Sequence, residues 1–161
     1  EFNHSIITFE GADKRLEPLL FENDRAFFKD FAHSPSKVKA TTKAIKNQFK
    51  NRKLITLLEL HTFSSLNENF IGEYRDTLKS ADIKILFYDP NAVEKKGLKN
   101  ISETKIKNAV NDNNLIVFSN SNLLKNFLKE QEYVNSNLLF MSSGNYASLN
   151  LDEIKDLVKN S

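Results

Sequence analysis

At 161 residues, with 40% hydrophobic side chains, four glycines and three prolines, the chain has the size and composition of one globular domain. It is unlike a disordered, collagen-like or turn-rich all-β sequence. Lys and Arg number 23 against 21 Asp and Glu, so no strong field favours nucleic acid or a membrane surface. With no cysteine, the chain has no disulfide, thiolate zinc site or cysteine nucleophile, which fits a cytoplasmic protein.

In chain order, residues 1–10 show no period of their own and read as an arm or severed linker. "KRLEPLLFEN" and "RAFFKDFA" are two strand-like pieces joined by Glu22-Asn23-Asp24, a hairpin turn. Val38, Thr41, Ile45 and Phe49 share one helical face, and "RKLITLLEL" (52–60) is an apolar run of strand length. Leu66, Phe70, Tyr74 and Leu78 recur every four residues, which predicts a helix, and "IKILFYD" (83–89) is the next strand. Ile106, Ala109 and Val110 mark a helix and "NLIVFS" (114–119) a strand; Leu123, Leu124, Phe127 and Leu128 mark a helix and "SNLLFMSS" (136–143) a strand. Leu151, Ile154, Leu157 and Val158 close with a helix. Helical periods alternating with short, fully apolar runs are the pattern of βαβ units. The expected fold is therefore α/β: a Rossmann-like three-layer sandwich with a mostly parallel sheet and an antiparallel strand pair at the N-terminus. No apolar run reaches the ~18 residues of a membrane span, and no signal-peptide core is present at the start.

Ligands of an open parallel sheet sit outside the carboxyl ends of its strands. That rule singles out Asp30 to Ser36, Glu59 to Ser65, Tyr88 to Asn91, Ser119 to Ser121 and Ser142 to Tyr146. Two readings of "KDFAHSPSKV" (29–38) stand side by side. Ser34 and Pro35 suit a helix N-cap and first turn, with Asp30 accepting from loop amides; or Asp30 and His33 face a ligand. "ELHTFSS" is either a hydroxyl-capped strand end or a binding edge, and "SSGNY" a turn with Gly144 at positive φ. The histidines at 4, 33 and 61 lack metal-ligand spacing, so no metal site is assigned. G-x-S-x-G and both glycine-rich phosphate motifs are missing. On these grounds alone a free-standing Rossmann-like binding module, or an interaction domain without a ligand, is as open as an enzyme.

As a set, however, "FEGADKRLE", "KDFAHSPSKVKAT", "LELHTFSSL" and "LLFMSSGNYASL" resemble the carboxy-terminal domain of the Mur ligases, the ATP-dependent amide-forming enzymes of peptidoglycan synthesis. The family writes the second stretch Asp-Asp-(Phe/Tyr)-(Ala/Gly)-His-His-Pro-Thr; here Lys29 replaces the first Asp, Ser34 the second His and Ser36 the Thr. "DFAH" is nearest to the muropeptide ligases, which join a recycled tripeptide to UDP-N-acetylmuramate, with the L-alanine-adding ligases as the alternative. The resemblance implies residues 1–10 as the remnant of an interdomain linker and 11–161 as the amine-substrate domain. The full-length enzyme would use ATP and Mg²⁺, held mostly by a central domain, and an N-terminal domain for UDP-N-acetylmuramate. The partners implied are those two domains and the substrates, with no nucleic acid and no membrane.

The resemblance also assigns residues. Arg15, Asp30, Phe31 and His33 are expected at the nucleotide, with Arg15 near phosphate and Asp30 accepting from ribose hydroxyls. Glu59, His61, Thr62, Ser64, Ser65, Ser142, Ser143 and Asn145 are expected around the amine substrate. The arginines that the family carries in the stretch matching 59–65 are missing here. The substrate carboxylate is therefore expected on His61, the nearby hydroxyls and the N-terminus of a following helix.

Overall fold

The alternating apolar runs resolve, in a computed structural model, into one six-stranded sheet. Residues 16–161 are described; the expectations for the linker remnant and Arg15 lie outside them. The strands are β1 (Glu17–Phe21), β2 (Arg25–Asp30), β3 (Lys53–Leu60), β4 (Ile83–Tyr88), β5 (Ile116–Phe118) and β6 (Ser136–Met141). Their order across the sheet is β1-β2-β6-β3-β4-β5. β1 runs antiparallel to β2, and every other neighbouring pair is parallel. The hairpin closes with the Glu22 N–H donating to the Arg25 carbonyl at 2.9 Å. Edge strand β1 carries Pro18 and a register shift beside it, features that blunt an open edge.

The helices are α1 (Pro35–Gln48), α2 (Pro90–Lys95), α3 (Glu103–Val110), α4 (Ser121–Lys129) and α5 (Leu151–Asn160). α1, α2, α3 and the segment after β3 cover one face, packing against Phe28, Leu54, Leu58, Leu86 and Met141. α4 and α5 cover the other, against Phe27, Leu57, Phe87, Leu138 and Phe140. The result is a three-layer α/β sandwich. Period-2 alternation along each strand feeds both cores, which is why the central strands read as unbroken apolar runs. α2, α3, α4 and α5 each begin on a side chain that accepts from helix amides: Asp89, Ser102, Asn120 and Asn150. α1 begins on Ser34 and Pro35 as expected, but the Ser34 side chain makes no capping bond. No helix among the described residues is long and apolar enough to cross a membrane.

The segment after β3 departs from expectation. Leu66, Tyr74 and Leu78 are buried as their spacing requires, yet no α-helix forms. Residues 62–81 are successive turns with one 3₁₀ piece, Ile71–Tyr74. Local acceptors and donors compete with a helical ladder here. Thr62 Oγ1 accepts from Ser65 N, Asn67 Oδ1 accepts from Asn69 N, and Thr77 Oγ1 donates to the Tyr74 carbonyl. Asp76 adds a left-handed residue at φ 63°. Leu123 also departs from its predicted core role, being 58% exposed while Leu124 and Leu128 are buried.

Asp82 fixes the start of β3: its Oδ2 accepts from Leu54 N at 2.7 Å and from Lys46 Nζ at 2.8 Å. Burial by itself would raise this carboxyl, but the Lys46 and Leu54 hydrogen bonds outweigh it and hold the group below its ordinary value of 3.8. Asp112, paired with Lys84 at 2.6 Å, is lowered in the same way. A folded-state value below the unfolded one adds stability above the ordinary aspartate range, lost as pH falls through the depressed value. The melting temperature should therefore plateau above about pH 5 and fall steadily below pH 4. Asp82→Asn should lower the plateau and flatten the acid limb; an unchanged limb would show that the Lys46 contact contributes nothing.

Candidate functional site

Because β6 lies between β2 and β3, its exit is flanked by the carboxyl ends of both. Each contributes a buried carboxylate: Asp30, 1% exposed, on the α1 face, and Glu59, 2% exposed, on the α4/α5 face. The Asp30 carbonyl accepts from Ser142 N at 3.1 Å. Its carboxylate accepts from Ala32 N at 3.1 Å and Thr41 Oγ1 at 2.8 Å, tying the loop to α1. Glu59 Oε1 accepts from the Ser142 hydroxyl and from Tyr146 N at 3.1 Å. The Ser142 hydroxyl oxygen in turn accepts from Gly144 N at 2.7 Å. The Glu59 carboxylate and the Asp30 backbone carbonyl thus hold the loop that leaves β6, while the Asp30 carboxylate holds the loop after β2; both acids are hydrogen-bonded, as a buried charge must be.

Gly144 is required by close approach. It is not at positive φ, the conformation expected of it; among the described glycines only Gly97 is. A Cβ at position 144 would sit 2.6 Å from His61 Cγ and 2.8 Å from Glu59 Oε1. The His61 ring therefore rests directly on the Gly144 backbone. The left-handed residues follow instead at Tyr146, Ala147 and Ser148, with φ of 56°, 53° and 64°. Three consecutive non-glycine residues there are strained. Tyr146 is buried against Phe140, with ring centroids 5.1 Å apart, and its hydroxyl finds no hydrogen-bond partner among the described residues. Burial first, then the charges of Glu59 and Asp30, hold that phenol well above its ordinary value, so it stays protonated.

These contacts sort the residues expected at the amine. Glu59, Ser65 and Ser142 are buried and committed to the domain itself, Ser65 donating to the Thr62 carbonyl at 3.0 Å. Thr62 Oγ1 is engaged by Ser65 N. His61, Ser64, Ser143 and Asn145 retain exposure. The helix N-terminus expected after Ser65 does not exist, for the reason given above. At the nucleotide-side residues, Phe31 is 51% exposed and stands edge-on to His33, with ring centroids 5.3 Å apart. His33 Nδ1 lies 2.9 Å from the Phe31 carbonyl. The Tyr74 hydroxyl, pushed up to about 12 by burial, donates to the His33 carbonyl. It thereby joins the turns after β3 to the loop after β2.

A cavity of about 760 Å³ opens over the ends of β3, β4, β5 and β6. It is lined by His61, Asn145, Ala147 and Ser148, which follow β3 and β6, and by Asp89, Asn91, Lys95, Lys96 and Ser119 to Ser121, which follow β4 and β5. Of the described residues that the resemblance assigns, only His61 and Asn145 line it. α2 and its lysines had no periodic signal, since six residues are too few for one. Asp89-Pro90, an N-cap followed by proline at the first helical position, was the legible clue. Among the described residues, no group of three or more His, Cys, Asp or Glu side chains converges as a metal site.

Two substitutions test this local account by thermal melting. Gly144→Ala should displace His61 and cost about 1–3 kcal/mol, the usual cost of overpacking. Tyr146→Phe should leave stability unchanged or raise it, because the hydroxyl it removes is buried without a partner. A clear loss in Tyr146→Phe would reveal a partner for that hydroxyl.

No protein-family model matches the chain. It is 31% identical over 136 residues to a UDP-N-acetylmuramate–L-alanine ligase of Sulfurihydrogenibium sp. (strain YO3AOP1), covering 81% of this chain and 29% of that protein. The chain thus spans less than a third of that relative's length. Among solved structures, the murein peptide ligase of Psychrobacter arcticus 273-4 superposes with a TM-score of 0.69 at 20% identity, over 96% of this chain and 32% of that one. A domain attributed to a UDP-N-acetylmuramate:L-alanyl-γ-D-glutamyl-diaminopimelate ligase of Haemophilus ducreyi gives 0.58 at 21% identity, over 89% of this chain and 99% of that one. At those identities the structural neighbours speak for the fold, and the sequence relative speaks for kinship. The chain is thus similar in sequence to part of one such ligase and in fold to domains of others.

Proposed function

We propose that this chain is the amine-presenting domain of an ATP-dependent ligase that joins an amine to the carboxyl group of a UDP-N-acetylmuramate substrate. The observation that carries this reading is the cavity beside β6, where strand ends meet loops that leave to opposite faces of the sheet. Such crevices are where α/β sheets take ligands, and the kinship above supplies the chemistry. In this reading the muramate carboxyl takes the γ-phosphoryl group of ATP. The amine nitrogen then attacks the acyl-phosphate carbonyl, and collapse of the tetrahedral intermediate expels phosphate. Mg²⁺ supplies charge neutralisation on the transferring phosphate and is assigned, with most of the ATP contacts, to a central domain. This domain's part is to bind and orient the amine and, on closure, to exclude the water that would hydrolyse the acyl phosphate.

Within the rim, Phe31 and His33 form an exposed aromatic edge suited to the flat face of a nucleotide base. Asp30 supports that edge from beneath through Ala32 and Thr41. Its engaged oxygens favour the structural reading over direct contact with ribose. His61, Ser64, Ser143 and Asn145 retain the exposure to meet the amine substrate, and Lys95 and Lys96 line the same cavity as His61 and Asn145, where they suit its negative charge. The muropeptide-like "DFAH" stretch and the fold likeness to a murein peptide ligase favour a peptide amine. The 31% identity to an L-alanine ligase favours the second reading, L-alanine itself.

Phosphate release by the full-length protein, with ATP, Mg²⁺ and UDP-N-acetylmuramate, should depend on added amine. L-alanine and L-alanyl-γ-D-glutamyl-meso-diaminopimelate assayed in parallel decide between the two readings. His61→Ala should raise the KM of the preferred amine about 5- to 150-fold with the ATP KM little changed, the effect of roughly 1–3 kcal/mol of lost contact. Release indifferent to every amine would refute the ligase reading, and equal effects on both curves would move the amine site elsewhere.

A further inference from the structure

Glu59 was expected to touch the amine, yet its carboxylate points into the domain. It is 2% exposed, no cation pairs with it among the described residues, and the bonds it makes use one oxygen, Oε1. That atom receives the Ser142 hydroxyl and the Tyr146 amide, the two ends of a five-residue loop. Between them Gly144 is drawn under the His61 ring. Immediately beyond, Ala147 and Ser148 hold the left-handed conformation in which they wall the cavity. Left-handed residues without glycine relax to ordinary backbone unless something holds them. The bond from Tyr146 N to Glu59 sits at the first residue of that strained run and ties it to the sheet.

We infer that Glu59 is a positioning residue which, through the acceptor oxygen Oε1 and without need of its charge, sets the cavity wall formed by His61, Asn145 and the left-handed turn. The inference rests on the ligase reading for its kinetic consequence but not for its structural one. If Oε1 only accepts, a glutamine can replace it. Its amide oxygen can take both hydrogen bonds, and its NH₂ group stands where Oε2 stood. Were the carboxylate instead a direct partner of the substrate ammonium, glutamine and alanine would be comparably damaging.

The test compares Glu59→Gln, Glu59→Ala and Ser142→Ala in the full-length protein by two readouts. Amide hydrogen exchange at Gly144 and Tyr146 reports the loop directly. Kinetics separate the amine KM from the ATP KM. Glu59→Ala should speed exchange at Tyr146 by roughly tenfold or more and raise the amine KM by roughly tenfold, leaving the ATP KM within about twofold. Glu59→Gln should recover most of both losses. Ser142→Ala, which keeps the carboxylate, should speed exchange at Gly144 and raise the amine KM; it carries the test if Glu59→Ala does not fold. Unchanged exchange in Glu59→Ala and Ser142→Ala overturns the inference. So does a Glu59→Gln variant whose loop is protected while its amine KM rises as far as in Glu59→Ala, since the charge would then be what matters. If the unmodified protein shows no amine-dependent phosphate release, the ligase reading fails, and the exchange comparison still decides the role of Glu59.

Discussion

Everything in this domain depends on where its last strand goes. β6 is formed late in the sequence, yet it lies between β2 and β3, hydrogen-bonded along its length to both. All six of its residues are buried. Until it is in place, β1 and β2 have no strand pairing with β3, β4 and β5, and neither face of the sheet is complete. α5 then follows directly and is fixed to the sheet from below. Arg25 on β2 donates to the Val158 carbonyl at 3.1 Å, and Ile154 and Val158 enter the second core. Burial of these apolar side chains stabilises the arrangement by roughly 1.5–3 kcal/mol each, so central placement of β6 is strongly favoured over an edge position.

The same placement builds the rim. A strand emerging between two others must have its exit loop accommodated by both, and here each neighbour does so with a buried acid. Asp30 takes the loop's first amide through its carbonyl and turns its carboxylate to α1; Glu59 gathers the loop from the opposite face. Tyr74 joins the β2 and β3 loops across the top. What projects from this frame is a short list of polar and aromatic groups with exposure. Phe31 and His33 stand beside β2, His61 beside β3, Ser143 and Asn145 beyond β6, and Lys95 and Lys96 at the end of α2. The division between buried acids that hold loops and polar groups left exposed at the rim is a consequence of solvation: an ionised carboxylate taken out of water is stable only when its lone pairs are used.

How much of this the sequence carries varies by element. The parallel strands were legible because burial on both faces leaves unbroken apolar runs such as "LITLLEL", and the opening hairpin because Glu22-Asn23-Asp24 punctuates two such runs. α1, α3, α4 and α5 were legible from their periods. The segment after β3 misled, since its four-residue spacing serves a chain of turns as well as a helix. The deciding information lay in Thr62, Asn67, Asp76 and Thr77, whose local hydrogen bonds and backbone angles compete with helix. At the rim the segments were located correctly by the strand-end rule, but not the orientation of their side chains. Nothing in "LELHTFSS" distinguishes Glu59, which turns inward, from His61, which lies on Gly144; strand alternation puts both on one face. The left-handed run at Tyr146 to Ser148 carries no glycine signal, because contacts from Glu59 hold it in place of intrinsic preference.

Ligand recognition is proposed at the carboxyl-end rim around the exit of β6. Amide exchange across the full-length protein, with and without ATP, UDP-N-acetylmuramate and the amine, tests it most directly. Added protection is expected at residues 30–33, 61–64 and 142–148, with the opposite end of the sheet unaffected. Protection confined to that opposite end, or to the outer faces of α4 and α5, would contradict it.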